Sequence, residues 1–200
     1  IHNVDYRAVG LGDFGREGQY IQRQISRWSS QYDLARTEHI EAMEQLKQWL
    51  PANIPPGDET SIVHGDYRLD NVIFHPSEPR ILAVLDWELS TLGHPLADFA
   101  YHCMTWRLSP GQFRGVKGYD LKALGIPNEQ EYVALYCRRT GRASIPAAEF
   151  EYYLAFNMFR LTAILQGIMA RALQGNAASQ EAIETGKRAR PLAEEAWRQV

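Results

Sequence analysis

The chain has 200 residues, 45% of them apolar and 22% charged, with a formal net charge of −3. That is enough apolar chain for one core, and the interspersed charges leave no basic footprint for nucleic acid or anionic lipid. No run of about 18 apolar residues is present to cross a membrane, and the N-terminus IHNVDYRAVG lacks the cationic-then-apolar order of a secretory signal. Cys103 and Cys137 fall in apolar helical patterns without CxxC spacing. They read as buried thiols of a reducing compartment, the cytoplasm. The first residue is Ile1 rather than Met, as expected of a piece of a longer chain.

Residues 1–32 read as a linker with glycines at 10, 12, 15 and 18. Tyr20, Ile21, Ile25 and Trp28 recur at helical offsets and predict a short helix over 18–29. A second helix is expected from Asp33 to Leu50, with Ile40, Met43, Leu46, Trp49 and Leu50 as its apolar stripe. Pro51 and the loop PANIPPGDE should end it. Ser61–His64 is a short apolar entry to an HGD turn. NVIF (71–74) and RILAVLDW (80–87), separated by the turn cluster HPSEP, predict an antiparallel hairpin whose ends carry Asn71 and Asp86.

From Pro95 the pattern turns helical, with Leu96, Phe99, Ala100, Cys103 and Trp106 on one face. SPGQFRGVKGYD reads as a surface loop. Asn128 and Glu131 have capping-box spacing for a helix reaching Thr140. Longer helices are expected over Ala147–Gln174 and Ala177–Arg198, joined at Gly175–Asn176, with Pro191 kinking or dividing the second. The expected fold is α+β, mostly helical, with one small antiparallel β-hairpin carrying the metal site.

The stretch SIVHGDYRLDNVIFHPSEPRILAVLDWE concentrates the chemistry. Phosphoryl transfer needs a carboxylate to receive the proton of the attacking hydroxyl, and oxygen ligands for Mg²⁺. Asp66 offers a carboxylate on a tight turn. Asn71, five residues on, offers a neutral oxygen, and Asp86 a second carboxylate after an apolar run.

HxDxxxxN followed by a strand-end Asp is the pattern of kinase-like enzymes. HGDYRLDN, LDWE and GHPLADFAYH resemble the aminoglycoside phosphotransferase and choline kinase branch of that family. Within the branch they look most like the kinase-like domains associated with acyl-CoA dehydrogenases. The resemblance implies that Asp66 is the catalytic base, while Asn71 and Asp86 hold the metal and, through it, ATP. His64 would support the loop by hydrogen bonding, Arg68 would reach phosphate or pair with a carboxylate, and Asp98 would be buried support. Glu88 is a weaker candidate for a metal contact through water.

The implied layout is a C-terminal lobe over 33–200, with the catalytic loop at 62–74, the metal strand at 80–88 and a helical subdomain at 95–200. Residues 1–32 would follow a nucleotide-binding N-terminal lobe that these residues cannot build. No strand lysine precedes Asp66; Lys47, expected on the exposed side of a helix, is the single lysine there. GLGDFG (10–15) satisfies both GxGxxG and DFG, but it lies about fifty residues ahead of Asp66 and an aromatic helical stretch follows, so it reads as a connector.

The expected function is ATP- and Mg²⁺-dependent transfer of the γ-phosphate to a small-molecule hydroxyl, for which the resemblance suggests a hydroxyacyl-CoA. The helices from Asn128 onward would shape the acceptor site; of Tyr132, Tyr136, Tyr152, Tyr153, Phe156 and Phe159, most are expected in the core by default, with one or two facing the cleft. An aminoglycoside-type antibiotic kinase is the alternative within the family, weakened by the lack of an acidic cluster. A non-catalytic kinase-like binding domain is the alternative outside catalysis. A metal-dependent hydrolase built on His64, Asp66 and Asp86 finds no HxH or HExxH spacing to support it. Standing alone, the lobe is expected to be inactive and to self-associate through uncovered apolar surface.

Overall fold

The computed structural model describes residues 1–175 and 180–200. Its elements, in order, are α1 (Tyr20–Ala35), α2 (Glu41–Ala52), β1 (Ser61–Val63), β2 (Val72–Phe74), β3 (Ile81–Val84) and β4 (Thr91–Gly93). Then come α3 (Pro95–Arg107), α4 (Glu129–Thr140), α5 (Ala147–Leu173), α6 (Gln180–Gly186) and α7 (Ala189–Arg198). Among the described residues no helix is long and apolar enough to cross a membrane.

The core is organised on α5. Fourteen of its 27 residues are buried, on every side of the helix, which only a central helix can satisfy. α1, α3, α6 and α7 pack around it. Asn157, buried in its middle, donates to the carbonyls of Ala97 and Tyr153, each at 2.8 Å. An amide in an apolar core costs free energy unless bonded, and these bonds also lock α5 to α3.

The first two helices differ from expectation. α1 runs to Ala35 and α2 starts only at Glu41, so Asp33–Ala35 belong to the first helix rather than the second. The reason lies across the molecule. The N–H and hydroxyl of Thr37 both donate to Oε1 of the buried Gln166, at 2.8 and 3.1 Å, and this anchor on α5 fixes the corner between the helices. Lys47 is not on an exposed face: it is half-buried and bonds Asp33 at 2.6 Å and Glu44 at 3.1 Å. Pro51 sits one residue inside the end of α2.

The strands form two sheets rather than one hairpin. β2 and β3 pair antiparallel as expected, Val72 facing Val84 and Ile73 facing Ala83. β1 pairs antiparallel with β4, a strand with no clear pattern in the sequence, placing Ile62 opposite Leu92. β1 and β4 therefore bracket residues 64–90 at both ends. Gly15 of the GLGDFG connector lies hard against β4, where a Cβ would come within 2.6 Å of the Leu92 nitrogen.

α3 begins with Pro95 in its first turn. α4 carries the complete capping box, Asn128 Oδ1 accepting from Glu131 N and Glu131 Oε2 from Asn128 N, both at 2.9 Å. The expected last helix is divided, but ahead of Pro191: α6 ends at Gly186 and α7 starts at Ala189. Pro191 then falls in the first turn of α7, where its missing N–H has no intrahelical acceptor to lose. Asn176 and residues 177–179, where a turn and a helix start were expected, lie outside the described residues.

His94, ahead of α3, is 5% exposed and shares a 3.1 Å hydrogen bond with the Tyr153 hydroxyl while stacking on its ring. Burial lowers its pKa from 6.5 to about 4; Arg142 and His2 add to the shift, while Glu59 and Asp58 oppose it. Because the folded value lies below the unfolded one, the unfolded chain binds more protons between them. The contribution is complete above about pH 6.5 and is lost as pH falls toward 4. A loss of roughly 2–3 kcal/mol across that window is expected, less in His94→Gln. Urea midpoints at pH 7 and 4.5 with the same slope in both proteins would refute it.

Candidate active site

β1 delivers the chain into His64-Gly65-Asp66, and α3 catches it from below. The Asp98 carboxylate, 8% exposed, accepts the His64 N–H at 2.9 Å and the Gly65 N–H at 2.8 Å. His2, from the N-terminal segment, stands 3.0 Å from Asp98 Oδ2 and bonds the Tyr136 hydroxyl through its other nitrogen at 2.8 Å. Burial alone would raise the Asp98 pKa, but His2 and the two amides outweigh it and hold the carboxyl below its ordinary value. On the other side, Arg160 of α5 donates to the Gly65 carbonyl at 2.7 Å. Gly65 has φ +83° and lies against Leu89, where a Cβ would meet the carbonyl oxygen at 2.6 Å. Only glycine fits this turn.

His64 is fully buried and bridges the two halves of the site. Its Nδ1 accepts the Asp66 N–H at 3.2 Å, and its Nε2 donates to the Leu85 carbonyl at 2.9 Å. One neutral tautomer satisfies both bonds. The Leu85 N–H in turn donates to the Asn71 carbonyl at 2.7 Å. Leu85 is thus held by both His64 and Asn71, and Asp86 follows it directly. The geometry at His64 is that of a brace between loop and strand, leaving neither ring nitrogen free to move a substrate proton.

Asp66 is held on both carboxylate oxygens. The Tyr101 hydroxyl donates to Oδ1 at 2.7 Å; Asn71 Nδ2 donates to Oδ2 at 3.0 Å and to the Asp66 carbonyl at 2.8 Å. Arg68 Nε lies 3.2 Å from Oδ2, and the same guanidinium reaches Asp70 at 3.8 Å. Asp70 also pairs with Arg114 of the loop after α3. Asn71 closes a 3₁₀ turn (Leu69–Asn71) rather than starting the strand.

Asp86 lies two residues beyond β3 in the left-handed region, φ 66° and ψ 52°. That conformation is uncommon for a residue with a side chain and costs of order 1–2 kcal/mol. It heads the turn Trp87–Leu89 without capping it, and its exposed carboxylate makes no hydrogen bond or ion pair among the described residues. Glu88 beside it is exposed too.

No three His, Cys, Asp or Glu side chains converge among the described residues. The donors present nevertheless fit Mg²⁺. Asn71 spends its amide nitrogen on Asp66 and leaves Oδ1 unbonded, while Asp86 leaves a whole carboxylate free. One or two protein oxygens with the remaining positions filled by water and phosphate is how Mg²⁺ is ordinarily held.

A cleft of about 720 Å³ opens beside Asp66, its walls including Tyr101, Arg160, Leu161, Ile164, Ile168 and Leu192. None of the six aromatics lines it, where one or two were expected. Tyr152, Tyr153, Phe156 and Phe159 are at most 2% exposed in the core. Tyr132 and Tyr136 instead face a separate cavity of about 460 Å³ behind the catalytic loop. The aromatic pattern reported core packing; the cleft is lined by the aliphatic side of α5. His2, Tyr101 and Arg160 hold the loop without any motif spacing of their own, although Tyr101 falls inside GHPLADFAYH.

Comparison with known proteins agrees with this geometry. Residues 1–132 match the model of the phosphotransferase enzyme family. Mouse acyl-CoA dehydrogenase family member 10 is 48% identical over 200 residues, covering 98% of this chain and 18% of that protein. Chicken acyl-CoA dehydrogenase family member 11 is 43% identical over 198 residues, covering 97% and 25%. The chain thus spans a quarter or less of these curated relatives. A crystal structure of "a putative aminoglycoside phosphotransferase" from Ralstonia eutropha superposes with a TM-score of 0.95 at 60% identity, covering all of this chain and 60% of that one. The chain belongs to the phosphotransferase enzyme family and has its kinase-like fold.

Proposed function

We propose that this lobe transfers the γ-phosphate of ATP to the hydroxyl of a small molecule, with Asp66 as base and with Asn71 and Asp86 as ligands of Mg²⁺. One observation carries the reading. A carboxylate clamped by Tyr101 and Asn71 faces a cleft of about 720 Å³, while a second carboxylate, on a left-handed residue, is kept free of partners next to the Asn71–Leu85 pair.

Asp66 orients the acceptor hydroxyl and takes its proton as the oxygen attacks the γ-phosphorus and the bond to the β-phosphate oxygen breaks. Asn71 holds Asp66 with its nitrogen and keeps its oxygen for the metal. Mg²⁺, when bound, supplies neutralisation of charge on the phosphates. Ile73, Phe74, Ile81, Leu82, Leu85 and Leu89 are each 43–54% exposed on and beside the hairpin. So much uncovered apolar surface marks a contact face, and we assign it to a nucleotide-binding lobe lying beyond these residues.

The cleft joins aliphatic walls to Arg68, Arg114, Arg160 and Arg188, which outnumber the acidic residues Asp66, Glu181 and Glu184 of the same lining; we take this to suit an acceptor with an apolar body and an anionic part. A hydroxyacyl-CoA has both, and the names of the curated relatives support it. In the full-length protein, MgATP turnover is expected with 3-hydroxybutyryl-CoA and not with kanamycin. Kanamycin phosphorylation would favour the antibiotic-kinase alternative, and turnover with neither would leave a binding domain.

A further inference from the structure

We propose that Tyr101 is a positioning residue for the base, and that it selects Oδ1 of Asp66 as the oxygen that receives the acceptor's proton. This rests on Asp66 being the base, and it goes beyond that assignment to a residue outside the HGDxxxxN and DWE motifs.

α3 places Asp98 and Tyr101 one turn apart on the same face. The first side chain holds the backbone of the catalytic turn, through the His64 and Gly65 amides. The second holds its reacting side chain, through the 2.7 Å bond to Oδ1. Tyr101 is itself held. It is 7% exposed, and the Arg160 guanidinium lies 5.3 Å from its ring centroid while donating to the Gly65 carbonyl. Trp28 lies on the same guanidinium at 5.5 Å. Swinging the hydroxyl off Asp66 would therefore disturb the turn as well.

The two oxygens of Asp66 are unequal. Oδ2 is faced by Asn71 and Arg68, whereas among the described residues Oδ1 has the Tyr101 hydroxyl alone. A carboxylate oxygen accepts along two lone-pair directions, so Oδ1 keeps one for an incoming hydroxyl. Both Tyr101 and Asp66 line the cleft, so an acceptor bound there lies against this pair. Burial first, and the charge of Asp66 second, push the Tyr101 pKa upward. The phenol therefore stays a donor and does not compete for the proton.

The test is a double-mutant cycle in the full-length protein, read as MgATP turnover with 3-hydroxybutyryl-CoA and, independently of the acceptor, with water. Tyr101→Phe should lower kcat 10- to 100-fold with the KM for ATP within twofold. In an Asp66→Asn background the same change should cost less than twofold, because a residue acting through Asp66 has nothing left to act on. A kcat within threefold of wild type, or an equal loss in both backgrounds, overturns the proposal alone. Wild-type turnover by Asp66→Asn overturns the base assignment and this proposal with it. Should the phenylalanine variant not fold, 3-fluorotyrosine at position 101 keeps the ring and strengthens the donor. An unmoved kcat there counts equally against the proposal.

Discussion

Asp66→Asn is expected to lower kcat by about 10²- to 10⁴-fold, the usual worth of a positioned general base, while the unfolding midpoint moves little. The amide is isosteric, and its neighbours can adapt. With its oxygen toward Asn71 and Arg68, its nitrogen faces the Tyr101 hydroxyl, which accepts as readily as it donates. What the variant lacks is a site for the proton. Nucleotide binding should survive, because Asn71 and Asp86 are untouched. Steady-state turnover with ATP affinity measured separately checks this. Turnover near wild type would remove Asp66 from the mechanism.

Asp98→Ala is expected to have the largest effect on the fold, of the order of 3–5 kcal/mol, as when one partner of a buried charged network is removed. The substitution strands the His64 and Gly65 amides and leaves His2 without its carboxylate. Each unsatisfied buried group costs about 1–3 kcal/mol. The pH dependence has a definite sign. The folded pKa of Asp98 is lowered, so its contribution is complete above the unfolded value and is lost only as pH falls through the folded one. Wild type should lose stability in acid below about pH 4, and Asp98→Ala should show less of that slope. Urea denaturation from pH 3 to 7 measures both effects. A midpoint within experimental scatter of wild type would mean that the turn holds itself.

How much of this was legible depends on the range of the interaction responsible. The β2–β3 hairpin, the capping box at Asn128 and the proline start of α3 depend on residues a few positions apart, and local chemistry sufficed to find them. The corner between α1 and α2 did not, because it is set by Gln166, 129 residues from Thr37. β4 escaped notice because a three-residue strand has no period; it exists by pairing with β1. The aromatics of α5 are in the core, as was expected of most of the six, but none of them reaches the cleft, since a ring in a central helix and a ring in a binding cleft look alike in sequence.

The stretch from Ser61 to Glu88 by itself pointed to the family and singled out Asp66, Asn71 and Asp86 as candidates, because motif spacing along a short stretch is a local property. Tertiary structure alone decided how that set is held. Asp98, Tyr101 and Arg160 come from α3 and α5 and meet at Gly65 and Asp66 only after α3 has packed on α5, and His2 of the N-terminal segment braces Asp98 from behind. It also decided which wall of the helical subdomain faces the Asp66 carboxylate. Hydrogen bonds closed over separations of 33 to 96 residues leave no periodic mark on a chain, so beyond His64 and Asp98, which the motifs had already marked as support, the groups that hold Asp66 and its turn became visible only in the fold.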